Sequence, residues 1–293
     1  LVHDGFTDYN LLLCLGAVLH SVLAHDYHGP YLHYSMYFFH TSGCIVQPEG
    51  LTNSSLNMNY WNSDNFEGLK SIGTQYSALK GYELFGQYCL QKEQGLKKQA
   101  IATVNTFVSH CKSQSLTKQR QIAEELSSLG YWQRETHQQL AYPLIVLLKG
   151  VLTQWAVDEP NNPIPHKWLG YIGEDIASYE RALALEPNDE ICLTQVALAH
   201  LNSVDFQTHH LSESVLLGDI VRAKDSLASA HTLIERLQTQ ESKSRLQNRH
   251  DYYQSMINCW EEYSTHTVAE SFPDWCAAKG EQFDFWSIIY YRR

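Results

Sequence analysis

Not one lysine or arginine occurs before Lys70 in this chain of 293 residues. A secretory signal opens on a basic stretch, whereas here Asp4 and Asp8 precede the first apolar run, residues 11–24. That run carries His20 and is too short to cross a bilayer; an apolar stretch of this length marks a buried core helix. The expectation is a cytoplasmic protein with no membrane partner, for which the acceptor-like tripeptide Asn53-Ser54-Ser55 carries no meaning. The seven cysteines (Cys14, Cys44, Cys89, Cys111, Cys192, Cys259 and Cys276) are odd in number and scattered, with no Cys-x-x-Cys pair. This argues against a disulfide framework and against a zinc knuckle, leaving small apolar thiols buried in a core. Positive charge is scarce as well: the net charge is −11 and the pI near 5.7. Nucleic acids and anionic membranes select clustered Lys and Arg, so neither is expected as a partner. The phosphate-cradling, dinucleotide and nucleophile-elbow motifs are all missing, and no cofactor is expected.

What is present is a globular composition, 44% hydrophobic and 18% charged, long enough for one large domain or two small ones. Residues 1–65 are rich in aromatics and hold His3, His20, His25, His28, His33 and His40. After the Gly29-Pro30 turn signal, residues 31–39 fit helix or strand, and residues 43–65 read as a long loop. His25, Asp26 and His28 form the most metal-like cluster, since imidazole and carboxylate are ordinary zinc or iron ligands. The His25/His28 pair shares a helix face only if the helix reaches Gly29, and Gly29-Pro30 points to an end there. His33 and His40, with Tyr37 between them, could line a polar pocket. His110-Cys111 makes no catalytic pair by adjacency alone, because neighbouring helical residues point apart.

From residue 64 onward the period is helical. Asp64-x-x-Glu67 has the capping-box pattern, ahead of Leu69, Ile72, Tyr76, Leu79 and Leu84. Residues 96–113 place Ile101, Val104 and Val108 on one face. Residues 117–129 end at Gly130, a residue suited to the position just past a helix. Pro143 opens or kinks a very apolar helix over 144–155. Residues 158–165, with three prolines and two asparagines, are the best candidate linker. A helix is expected over 241–264, followed by Trp275, Phe283, Phe285, Trp286, Tyr290 and Tyr291 as an aromatic cover for the last hairpin.

Residues 177–189 set Tyr179, Ala182 and Leu183 on one stripe with Ile176, then stop the helix at Pro187 and offer Asn188-Asp189 as the next cap. Residues 217–230 repeat the theme: Gly218-Asp219, then Ala223, Leu227 and Ala230. Both segments resemble the second helix and turns of the tetratricopeptide repeat, and the likeness covers roughly residues 166–238. Ala182 and Ala230 lie 48 positions apart, against a family period of about 34; an insertion around residues 202–214 fits the excess. The first match leaves no room for a full first helix before Gly173. The resemblance implies helical hairpins and a groove for protein or peptide, and no particular ligand residues.

The resulting expectation is an all-α fold: an irregular helical bundle over residues 1–157, then tetratricopeptide-like, solenoid-type hairpins with an aromatic C-terminal cap over 158–293. The expected function is a non-enzymatic interaction module, an adaptor, regulator or toxin-neutralising partner. The alternative is an enzyme with a His/Tyr-rich, metal-dependent site in residues 20–45. Residues 91–120 hold six basic side chains and one acidic, while residues 158–190 hold eight acidic and two basic. The acidic run would suit a basic protein or peptide.

Overall fold

The computed structural model describes residues 63–266 and 270–285. Among the described residues, eleven α-helices and one 3₁₀ turn, Leu211–Glu213, make up the regular structure, with no strand. The helices are α1 (Ser63–Ser77), α2 (Glu83–Glu93), α3 (Lys97–Lys112), α4 (Leu116–Trp132), α5 (Tyr142–Asp158), α6 (Pro163–Gly173), α7 (Ile176–Leu185), α8 (Glu190–Thr208), α9 (Ile220–Arg236), α10 (Gln240–Thr265) and α11 (Phe272–Ala278). The all-α expectation holds for these residues. No described helix is long and apolar enough to cross a membrane.

Helix starts follow side-chain chemistry. Ser115, Asn162, Asp175, Asp189, Asp219 and Ser271 each accept a hydrogen bond from a backbone N–H in the first turn of α4, α6, α7, α8, α9 and α11. Such caps satisfy donors that a helix leaves orphaned. Asp189 is the cap the sequence suggested. Asp64 is not: α1 already includes Ser63, so Asp64 lies inside the first turn. Gly130 also departs from expectation. It sits within α4, where a Cβ would lie 2.8 Å from Leu140 and 2.9 Å from the Tyr171 hydroxyl; it is a close-approach point and not a helix end.

The first six helices share one core, to which Leu69, Phe85, Phe107, Leu126, Leu148 and Trp168 each bring a buried side chain from a different helix. Each contributes about 1.5–3 kcal/mol of apolar burial. Segment 133–141 is packed, with Thr136 and Gln139 buried. The Tyr88 hydroxyl donates to the Gln138 carbonyl at 2.6 Å, and the Gln138 N–H donates to Asn65 Oδ1 at 3.1 Å. The proline-rich stretch after α5 is a capped turn, and α6 packs back on α4 and α5. Ile101, expected beside Val104 and Val108, is exposed; only the latter two face the core.

A second core joins α8, α9 and α10 through Leu193, Leu201, Leu227, Ile234, Leu246 and Ile257. A third places Phe272, Trp275 and Cys276 of α11 against Met256 of α10 and Leu211 of the 3₁₀ turn. α8 serves several of these groups at once. Ile191 packs on the first core, Cys192 and Val196 on Tyr179 and Ala182, and Leu193, Ala197, Leu201 and Val204 on the second core. A helix with buried side chains on several sides belongs in such a central position.

Candidate functional site: an apolar groove along α5

α5 buries Leu144, Leu147, Leu148, Leu152 and Trp155. Its opposite face mixes apolar side chains with exposed Lys149 and Thr153 and is open among the described residues: Tyr142 is 78%, Val146 52% and Val157 68% exposed, and nothing described lies within 4 Å of the Cβ position of Gly150. The spacing 142, 146, 150 and 157 is one helical stripe. At the start of α4, Leu116 is 63% exposed. Leu116, Pro143, Val146, Gly150, Val151 and Trp155, together with the polar Gln119 and Gln154, line a groove of about 320 Å³. Lys112, at the end of α3, stands at its edge.

The far end is closed by an ionic knot. Arg120 Nη2 donates to Asp158 at 2.5 Å and its Nη1 to Glu159 at 2.6 Å, and the guanidinium lies 5.6 Å from the Trp155 ring centre. The Trp155 indole N–H donates to Glu159 at 2.9 Å. Hydrogen bonds from Asn162 and Trp155 hold the Glu159 carboxyl below its ordinary range. The charges at this end are paired within the chain, whereas Lys112 forms no salt bridge among the described residues.

The acidic run is largely engaged within the chain. Asp158 and Glu159 hold Arg120; Asp175 caps α7; Asp189 caps α8 and pairs with Lys167 at 2.9 Å. Glu190 accepts the backbone N–H groups of Gln238 and Thr239 that precede α10. That leaves Glu174, Glu180 and Glu186 of the original eight. In the basic run, by contrast, Lys92, Lys97, Lys98 and Lys112 form no salt bridge among the described residues.

Tyr179 and Ala182 are buried together with Cys192 and Val196, with Leu183 packed beside them. Ala223, Leu227 and Ala230 are buried in the α8–α10 core. α6 and α7 pack as neighbours, as do α8 and α9. The eleven-residue α6 ends at Gly173 and occupies the stretch expected to lack a full first helix. Glu174 then closes it in the left-handed region at φ 52°, a turn conformation that the glutamate side chain gave no reason to expect. The excess spacing expected around 202–214 is mostly helix, because α8 runs on to Thr208 before the 3₁₀ turn.

Chemistry of other kinds finds little support in the described residues. No group of three or more His, Cys, Asp or Glu that could hold a metal occurs among them. His25, Asp26 and His28, and the alternative enzyme site in residues 20–45, lie outside the described residues. Burial pushes the Cys89 and Cys192 thiols far up and Cys111 to about 11, which makes them poor nucleophiles. His110 is exposed and meets Gln114, so it gives buried Cys111 no base. Sequence reasoning missed the groove, although part of the signal was present: Val146 and Gly150 follow each other at helical spacing on the face of α5 away from its leucines. None of the known protein families, curated proteins or solved structures compared with this chain matches it.

Proposed function

We propose that this chain is a non-enzymatic interaction module whose α5 groove receives an amphipathic helix of a partner protein, with acidic residues flanking the helix's apolar face. The observation that carries this reading is the groove in which the exposed Val146 and Leu116 meet Pro143, Gly150 and Val151. Exposed apolar side chains gathered at a concave site mark interaction surfaces. A helix laid in a groove uses anchors at i, i+3, i+4 and i+7, the pattern such a site complements. Lys112, which lines the groove and forms no salt bridge among the described residues, supplies an available positive charge there on a chain of net charge −11. That contrast favours carboxylates on the partner.

The helices from α6 to α9 fit degenerate tetratricopeptide-like hairpins in this reading. Support comes from the contact of Gly170 with Tyr179 and from the burial of Ala182, Ala223 and Ala230. These hairpins would act as a scaffold for the groove-bearing bundle.

The test uses the full chain and a fluorescent synthetic helix with leucines at i, i+3, i+4 and i+7 and glutamates at both ends. Anisotropy should show saturable binding, weakened at least about tenfold by Val146→Asp and by exchanging the glutamates for lysines. Equal binding by the wild type and Val146→Asp would overturn the reading. So would a concentration-dependent dimer that Val146→Asp abolishes, because the groove would then receive a second copy.

A further inference from the structure

The pair Cys259 and Cys276 stands apart from the other described cysteines. Cys89 and Cys111 are buried in the first core, and Cys192 lies beside Tyr179. Cys259, on α10, is half-buried, whereas Cys276, on α11, is fully buried. Cys276 belongs to the cluster that joins these two helices, Cys259 packs against that cluster, and each thiol perturbs the ionisation of the other. Around them stand Trp260, Tyr263, Phe272 and Trp275, with Trp260 and Phe272 edge to face at 5.2 Å and Tyr263 and Trp275 at 5.8 Å. The two thiols thus share one packed aromatic cluster at the junction of two helices, with only Cys259 reachable from solvent.

We propose that Cys259 and Cys276 are a dithiol modification site that closes to a disulfide in the presence of a small-molecule disulfide and fastens α11 to α10. Cys259, the accessible member, loses its proton and attacks the reagent; one reagent thiolate leaves and takes up a proton. Cys276 then loses its proton and attacks the Cys259 sulfur, expelling the second reagent thiolate, which is protonated in turn. Two electrons pass from the protein pair to the reagent: two protein S–H bonds and one reagent S–S bond are replaced by one protein S–S bond and two reagent S–H bonds.

Burial raises both thiols above their ordinary range, Cys276 to about 12, so the pair rests protonated at neutral pH. Closure therefore accelerates as pH rises, because the thiolate is the attacking form. Without the bridge, α11 is held by packing, by the Phe272 N–H donating to Ser214 Oγ at 2.8 Å, and by the Lys279–Glu262 ion pair. The bridge would add a covalent tie enclosing residues 260–275 and restrict the unfolded chain.

The full chain is incubated with oxidised glutathione at pH 8, alkylated, digested and mapped by mass spectrometry, with a parallel sample at pH 6.5. The expected product links the Cys259 and Cys276 peptides with loss of two hydrogens, forms faster at pH 8, and reopens with reductant. Cys276→Ser, which keeps the thiol that reacts first, should stop at a stable glutathione adduct on Cys259. Cys259→Ser should leave Cys276 unmodified. Circular dichroism of each variant checks that the helices remain. A persistent glutathione adduct on wild-type Cys259, a bridge to any other cysteine, or no reaction at either position would each overturn the proposal.

Discussion

Gly170 of α6 and Tyr179 of α7 touch so closely that a Cβ on the glycine would lie 2.6 Å from the tyrosine ring. Tyr179 is buried and cannot swing away. Gly170→Ala gains helix propensity of about 1 kcal/mol but forces the ring or the helix to move, an overpacking that costs about 1–3 kcal/mol. The expected result is net destabilisation. Gly150→Ala, with nothing described within 4 Å of its Cβ, should gain most of the propensity term and stabilise by about 0.5–1 kcal/mol. Urea midpoints of the two variants moving in the same direction would contradict this account of both sites.

Ala182 is 1% exposed within the small cluster formed with Tyr179, Cys192 and Val196. Ala182→Leu should overpack that contact and lower stability by about 1–3 kcal/mol. Its neighbour Arg181 is exposed and donates one hydrogen bond to the Pro160 carbonyl at 3.0 Å. Arg181→Ala should change stability by about 1 kcal/mol or less. Chemical denaturation compares them, and equal losses would remove the case for a close α7–α8 contact at Ala182.

The Asp189 carboxyl is pulled two ways: burial raises it, while the Cys192 N–H and Lys167 lower it, and the lowering wins. A carboxyl depressed in the folded state contributes stability that is present above its unfolded value of about 3.9 and is lost as pH falls through the lower folded value. Asp189→Asn keeps a capping oxygen but removes the titration. Thermal midpoints measured from pH 5 down to pH 2.5 should fall less steeply in this variant than in the wild type; parallel curves would exclude Asp189 as a source of acid sensitivity.

Tyr88→Phe removes the hydroxyl that donates to the Gln138 carbonyl and leaves the ring in place. Since Tyr88 is fully buried, the loss should be about 1–2 kcal/mol. Hydrogen exchange should quicken at Gln138, whose N–H is held by Asn65 in the same packed segment. Unchanged exchange there would show that segment 133–141 is anchored by other contacts.

Much of the helical layout was legible because it depends on local chemistry. Asp189 after Pro187, and the helix from Gln240 to Thr265, follow from capping and periodicity. The burial of Tyr179, Ala182, Ala223, Leu227 and Ala230 follows from stripes of the right spacing. What could not be read depends on which neighbours arrive. Gly130 looked like a stop because nothing local shows that Leu140 and Tyr171 crowd it. Ile101 shared a face with Val104 by spacing alone, yet no described helix covers it. The groove was hidden by the same limitation. An apolar helix is ordinarily enclosed, and only the assembled bundle reveals that Val146 and Val157 are left exposed.

The central place of α8 makes length changes there far costlier than substitutions. One added residue turns everything beyond it by about 100°, carrying Leu201 and Val204 off the α9–α10 core while the preceding turns stay fixed by Cys192 and Val196. A substitution forfeits the contacts of one side chain; an insertion displaces every side chain that follows it in the helix. Insertions should therefore accumulate after Thr208, where the 3₁₀ turn and the left-handed Ser214 at φ 60° already break the helical register. Over evolutionary time this chain can lengthen at that joint and not along the helix before it.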